Sequence, residues 1–155
     1  MKIGVVIYSW SGNTASVGEK LKAKLESAGH AVELAPVTVA GERAQGARDF
    51  ELGPMPELSS YDGIVFGAAV EAFSLSPVFK TYLDAVESLA GKKVACLVTQ
   101  QFPFPWMGGN NAIRQMKKRC SQKGALVLGN AVVNWAGSRR AKTTTTAVES
   151  LARLF

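Results

Sequence analysis

The sequence predicts an α/β fold, doubly wound, with five parallel strands in one sheet and helices on both faces. Three observations predict it. Five short, β-branched, almost continuously apolar segments have the character of strands buried on both faces. Between them lie segments whose apolar residues recur at steps of three and four, as on one face of a helix. The two kinds alternate along a chain of 155 residues, which suits one domain over residues 1–155 with parallel βαβ units.

The elements follow in order. Lys2 to Tyr8 reads as the first strand, and Val17, Leu21, Leu25 and Ala28 mark the first helix. Ala31 to Val37 is the second strand. The rhythm then breaks from Thr38 to Tyr61, where Gly41, Gly46, Gly53, Pro54 and Pro56 predict a long loop or a short irregular helix over one edge. Gly63 to Ala69 is the third strand. Ser76 and Pro77, in the N-cap and N1 order, open a helix marked by Val78, Phe79, Tyr82, Leu83, Val86 and Leu89. Lys93 to Thr99 is the fourth strand, and Ile113, Met116 and Cys120 mark the helix after it, with Lys117 and Lys118 facing away. Leu126 to Trp135 is the fifth strand. Val148, Leu151, Ala152 and Phe155 mark a short last helix, with Thr143 to Thr146 as a loop leading to its cap, since threonine is a poor helix-interior residue.

Composition excludes several chemistries. Cys96 and Cys120 stand far apart with no CxxC and no histidine ring, so they read as packing thiols rather than metal or redox groups. The single histidine, His30, sits at a helix exit and reads as a surface turn residue. No apolar run approaches the roughly 20 residues that cross a bilayer, and the N-terminus lacks the layout of a secretory signal, so a cytoplasmic protein without membrane contact is expected. A phosphorylated receiver needs an aspartate where Gly67, Ala68 and Ala69 end the third strand, and a thiol phosphatase needs a cysteine in the first loop. Neither is present.

The net charge of +6 is unevenly spread: residues 1–77 carry six Lys/Arg against nine Asp/Glu, and residues 78–155 carry twelve against three. The basic residues group as Lys92 and Lys93, as Arg114, Lys117, Lys118, Arg119 and Lys123, and as Arg139, Arg140 and Lys142. A field of this kind steers acidic partners or phosphates. For the middle group a solvated helix face is the favoured reading. One reading of the chain is therefore a non-catalytic regulatory or binding module whose basic half engages acidic partners, nucleic acid being the lesser candidate.

The other reading starts from Ser9-Trp10-Ser11-Gly12-Asn13-Thr14, a hydroxyl-rich turn between the first strand and the first helix. Such a turn gathers backbone N–H groups and hydroxyls at the positive end of a helix and holds a phosphate without Lys or Arg. The absence of a cation argues for a phosphate kept as a permanent handle rather than one in transfer. In an open parallel sheet, ligands bind beyond the carboxyl ends of the strands where the order reverses. Two more loops belong there: Val70 to Pro77, and Gln100 to Gly109 with its exposed Phe102, Phe104 and Trp106. Aromatic residues so placed suit a flat ring or a partner surface.

On these residues the chain resembles the flavodoxin-like family of FMN-binding proteins. Ser9-x-Ser11-Gly12-Asn13-Thr14 is similar to the family's hydroxyl-x-Thr-Gly-x-Thr phosphate loop, with Ser11 for the commoner threonine, and Gly67 to Phe73 is similar to the loop passing one side of the flavin. The resemblance implies a 2-1-3-4-5 strand order and non-covalent FMN. It implies that Ser9, Trp10, Ser11, Gly12, Asn13 and Thr14 hold the phosphate, with Trp10 giving its backbone N–H. Backbone groups of Val70, Glu71, Ala72 and Phe73 would approach the ring edge, and Thr99, Gln100, Gln101 and Phe102 would line its other side under Trp106. No side chain is assigned a catalytic role and no metal is expected. The function implied is an electron carrier, or an NAD(P)H-dependent reductase of the quinone or flavin type, with a redox protein or NAD(P)H as partner. The aromatic loop could also build a homo-oligomer contact. Carrier flavodoxins are usually strongly acidic, and this chain is basic.

Overall fold

The computed structural model describes every residue except Gln45. Its elements are β1 (Lys2–Ile7), α1 (Asn13–Ser27), β2 (Ala31–Pro36), β3 (Gly63–Glu71), β4 (Ser74–Leu75), α2 (Pro77–Ala85), β5 (Lys93–Gln100), α3 (Gly109–Gln122), β6 (Leu126–Asn134) and α4 (Arg139–Ala152). The long strands are all parallel in the order β2-β1-β3-β5-β6, and β4 pairs antiparallel with β3. Counted by long strands this is the expected 2-1-3-4-5 arrangement.

Strand geometry explains the layering. Successive side chains point to opposite faces, so Ile64, Phe66, Val94 and Cys96 pack against Phe79, Tyr82 and Met116 on the side of α2 and α3. Ile3, Val5, Ile7, Val65 and Leu97 pack against Leu21, Leu25 and Leu151 on the side of α1 and α4. Each fully buried side chain of this kind contributes about 1.5–3 kcal/mol relative to an exposed one. Cys96 and Cys120 are buried and free on the α2/α3 side. The hydrogen bond between them, together with burial, pushes the Cys120 thiol well above the usual range.

Three expectations need correction. Thr143 to Thr146 are not a loop: they lie inside α4, which spans fourteen residues. Tertiary contacts override their low propensity, because Thr144 is buried and Thr143 Oγ1 accepts the Asn134 N–H at 3.1 Å while donating to the Arg139 carbonyl at 2.7 Å. Leu89 is buried but lies beyond α2, which ends at Ala85. Val70 to Leu75 is a hairpin rather than a loop, so a sixth, two-residue strand joins the sheet. Of the two alternatives for Thr38 to Tyr61, the long loop is the one present: its described residues hold no helix, only an isolated bridge between Val39 and Leu52.

That long segment ends on Tyr61, whose ring lies flat over Gly4 of β1. A Cβ on Gly4 would stand 2.5 Å from Tyr61 Cδ2 and Cε2. The ring has nowhere to retreat, since the Tyr61 hydroxyl donates to Glu33 at 2.8 Å and Lys92 holds the Tyr61 carbonyl at 2.7 Å. Gly4→Ala should therefore destabilise the fold by about 1–3 kcal/mol, read as a lower urea midpoint at unchanged slope.

Candidate functional site

Three loops meet at the carboxyl edge of the sheet, after β1, β3 and β5. The first is tied down at its start, where the Tyr8 N–H donates to the Gly67 carbonyl at 3.1 Å. Gly12 precedes α1 with φ of 89°, a left-handed conformation that suits glycine. Ser9 Oγ accepts the Ala15 N–H at 3.2 Å, and Ser16 N–H donates to the Gly12 carbonyl at 3.0 Å. Among the described residues, the N–H groups of Trp10, Ser11, Gly12, Asn13 and Thr14 find no acceptor. The first turn of α1 holds no acidic residue. Five unspent backbone donors at the positive end of a helix make an anion cradle.

The second loop is the turn between β3 and β4. Ala72 and Phe73 both have positive φ, 49° and 60°, the signature of a two-residue type I′ turn that usually takes Asn-Gly. Non-glycine residues held there carry strain of order 1–3 kcal/mol each, and the neighbours hold them. Asn111 Nδ2 donates to the Phe73 carbonyl at 3.2 Å, and Gln115 Oε1 accepts both the Leu75 N–H and the Ser74 hydroxyl at 2.9 Å. Val70 lies half-buried at the strand end, while the Phe73 ring is 56% exposed.

Glu71, the residue before the turn, points inward. Its carboxylate meets Arg43 from the long Thr38–Tyr61 segment at 2.8 Å, with both side chains almost wholly buried. Gly46 N–H donates to the same Glu71 oxygen at 2.8 Å, Arg43 reaches the Tyr8 hydroxyl at 3.2 Å, and the Trp10 indole donates to the Arg43 carbonyl at 2.7 Å. Burial pushes the Glu71 carboxyl up, but hydrogen bonds from Arg43 and Gly46 and the guanidinium charge outweigh it and hold the group below its ordinary value. One ion pair thus joins the first loop, the second loop and the segment covering both.

The third loop leans on the second. A Cβ on Gly108 would fall 2.8 Å from Val70 Cγ1 and 2.9 Å from Phe73 Cα, so only glycine allows that approach. Phe102 stacks on Phe73 with centroids 5.2 Å apart and planes 7° from parallel, and Phe104 stacks on Trp106 at 5.8 Å. Gln100 is buried beneath them: its amide nitrogen lies 2.8 Å from the Phe102 carbonyl, 2.6 Å from the Phe104 carbonyl and 2.8 Å from Asn134 Oδ1. Its role is to hold the loop from inside. Thr99 shares a 2.8 Å hydrogen bond with Thr14, both buried, which pins the third loop's root to the start of α1. Gln101 is exposed, and Trp106 is the most exposed aromatic of the loop at 72%.

This edge can be compared with known proteins. No protein-family model and no curated protein sequence matches the chain. Solved structures do match. Flavodoxin 2 from Bacillus cereus is 23% identical over 100% of both chains with a TM-score of 0.70. A flavoprotein from Lactobacillus acidophilus in complex with FMN is 20% identical, covers 84% of this chain and 92% of its own, and has a TM-score of 0.65. A flavodoxin, WrbA-like protein from Agrobacterium tumefaciens is 17% identical, covers 99% and 94%, and has a TM-score of 0.69. The chain has the flavodoxin-like fold.

Within this flavodoxin-like frame, the residues singled out from sequence gather at one edge, and Arg43 is the residue that sequence reasoning missed. A signal was available, since Glu71 closes an apolar strand buried on both faces and a carboxylate there demands a cation. Only six cations precede residue 78, and four of them lie in the first strand and first helix, which leaves Arg43 and Arg48.

The basic second half does not form one free patch. Arg119 binds Asp84 at 3.1 Å, Lys92 binds the carbonyls of Ser59 and Tyr61, and Lys123 binds the Asp84 carbonyl at 3.0 Å. Arg139 lies 4.9 Å over the Phe104 ring, and Arg140 lies 4.6 Å over Trp135. These two bring positive charge to the aromatic loop. A concavity of about 760 Å³ opens beside it between β6 and α4, while the stacked rings of the aromatic loops close over the space among the three loops. Among the described residues no His, Cys, Asp or Glu cluster could hold a metal ion, and no helix is long and apolar enough to cross a membrane.

The ion pair has a pH signature. Because the folded-state value of Glu71 lies below the ordinary 4.5, its contribution is complete above pH 4.5 and is lost as pH falls through that lower value. Arg43→Met should cost about 3–5 kcal/mol at pH 7 by stranding a buried carboxylate. It should also flatten the acid limb of stability. Urea midpoints of both proteins at pH 7 and below pH 4 check both effects.

Proposed function

We propose that this protein binds FMN without a covalent link and transfers electrons through it. The observation that carries the reading is the run of five backbone donors from Trp10 to Thr14, unspent within the chain and set at a helix start that holds no cation and no carboxylate. That donor set suits a phosphate monoester held permanently. The FMN complex of the structurally similar Lactobacillus acidophilus flavoprotein supports it.

In this reading Ser9, Ser11, Asn13 and Thr14 frame the phosphate, with Ser9 and Thr14 already fixed by Ala15 and Thr99. The backbone of Val70 to Phe73 faces the ring edge, where its N–H and C=O groups set local polarity. The other wall comes from Thr99 to Phe102, with Trp106 outside it. When bound, FMN supplies the electron-accepting chemistry, and the protein's part is to hold, orient and shield the ring. A flat ring between Phe73 and Phe102 needs about 7 Å between their planes, since each carbon contact takes about 3.5 Å. The two centroids stand 5.2 Å apart, so Phe102 must give way.

Two roles fit this site, a carrier docking an acidic protein against Arg139 and Arg140, and an NAD(P)H-dependent reductase of the quinone or flavin type. Either places the protein among cytoplasmic redox proteins. Reduction of the loaded protein by NADPH or NADH assigns the reductase role, and inertness to both assigns the carrier role.

The test of the cofactor comes first. Purified protein mixed with FMN and freed of excess should keep an oxidised-flavin absorption spectrum at one FMN per chain. Ser11→Ala combined with Asn13→Ala should weaken retention about tenfold or more, as expected for lost hydrogen bonds to a charged group, at unchanged urea midpoint. A colourless wild-type protein would overturn the proposal.

A further inference from the structure

A second set of polar groups lies beside the Ala72–Phe73 turn, where the second loop meets α2 and α3. A concavity of about 340 Å³ opens there between the hairpin, α2 and α3, and Arg48, Lys80 and Arg119 all line it. Two carboxylates also line it, and both are spent. Glu71 is held by the buried Arg43, and Asp84 by Arg119 Nε at 3.1 Å. Among the described residues, Arg48 and Lys80 have no carboxylate partner. The wall therefore carries two surplus positive charges.

Lys80 is half-buried, and its ammonium group has one hydrogen-bond partner among the described residues, the Ser74 hydroxyl at 2.7 Å. That hydroxyl passes its own proton toward Gln115 Oε1 at 2.9 Å. Burial first, then the charges of Arg119 and Arg48, push the Lys80 ammonium below the ordinary lysine value, which means that the three cations repel one another across the hollow. A compact lysine charge beside two guanidinium forks is the donor set that recognises a phosphoryl group, and a concave wall of one sign concentrates such anions.

We propose that this hollow binds a phosphoryl dianion, free or carried on a small metabolite, through Lys80, Arg48 and the outer nitrogens of Arg119. The site is separate from the Trp10–Thr14 cradle and does not require FMN. Its occupant competes with Ser74 for Lys80. Because Ser74 pairs with Glu71 across the hairpin, binding is felt at the Ala72–Phe73 turn between them.

The test is a residue-resolved titration of ¹⁵N-labelled protein with inorganic phosphate, with chloride matching the ionic strength. The amides of Ser74, Leu75 and Lys80 should shift in a saturable way in phosphate and not in chloride. Arg48→Gln with Lys80→Gln should weaken this response about tenfold or more, and Lys80→Arg should retain it. Any response at Trp10 to Thr14 should survive in the double variant, so failure of the cofactor reading and failure of this one are told apart by which amides move. A parallel titration with adenosine 2′,5′-bisphosphate identifies the source: tighter binding than phosphate at the same amides means a nucleotide-borne group, and equal or weaker binding means a free phosphate. No saturable shift at Ser74 and Leu75, or a shift undiminished in the double variant, would overturn the proposal.

Discussion

The geometry of the protein depends on one constraint: five parallel strands, of which the inner three, β1, β3 and β5, are buried on both faces while the edge strands β2 and β6 are partly exposed, must all end at the same edge. Parallel strands need crossovers, and the helices that make them cover the two faces of the sheet. The carboxyl edge is left to loops, and those after β1, β3 and β5 lie side by side because these strands are neighbours in the sheet. Small residues set how near those loops come. A Cβ on Gly67 would crowd Ile7 and Thr14, and one on Gly108 would crowd Val70 and Phe73. Glycine at 108 lets the third loop reach the Phe73 backbone, and glycine at 67 lets the Ile7 and Thr14 side chains close onto β3.

Against that apolar frame the Arg43–Glu71 pair is a different kind of bond. Two buried charges gain little net stability over a well-packed apolar pair, but losing one partner strands the other. The pair therefore acts less as glue than as a rule about position: Glu71 is comfortable only where Arg43 stands. Arginine suits this better than lysine, because its fork serves Glu71, the Tyr8 hydroxyl and the Ala47 carbonyl together. The segment after β2 has no helix among its described residues: Arg43, with Phe50 against its guanidinium, holds its middle, and Tyr61, bonded to Glu33 and Lys92, holds its end.

Much of this was legible in the sequence. Strand and helix faces were readable because burial imposes periods that apolar residues record directly, and strand order followed from the phosphate-loop resemblance. The cradle was readable because its spacing is local: strand end, Gly12 and helix start lie within six residues. Less local features were not. The inclusion of Thr143 to Thr146 in α4 depends on Asn134 and on burial of Thr144, which no propensity reports. The Ala72–Phe73 turn breaks the usual composition of its type, so its residues gave no warning of positive φ. Gln100 reads as a wall of the site from its place at the end of β5, and only the packed loop shows its amide turned to the carbonyls of Phe102 and Phe104.

The distribution of tryptophan carries a consequence of its own. The chain has three: Trp10 is bonded to the Arg43 carbonyl, Trp106 is stacked on Phe104, and Trp135 is anchored through its N–H to the Gln100 carbonyl at 2.7 Å. All three stand at the carboxyl edge, and none is in the body of the sheet or on the opposite rim. Indole fluorescence from this protein therefore originates entirely at one face. The protein carries its own optical reporters for that edge, and changes in the loops, in Arg43 or in whatever rests among the aromatics register in emission while the rest of the core stays dark at those wavelengths.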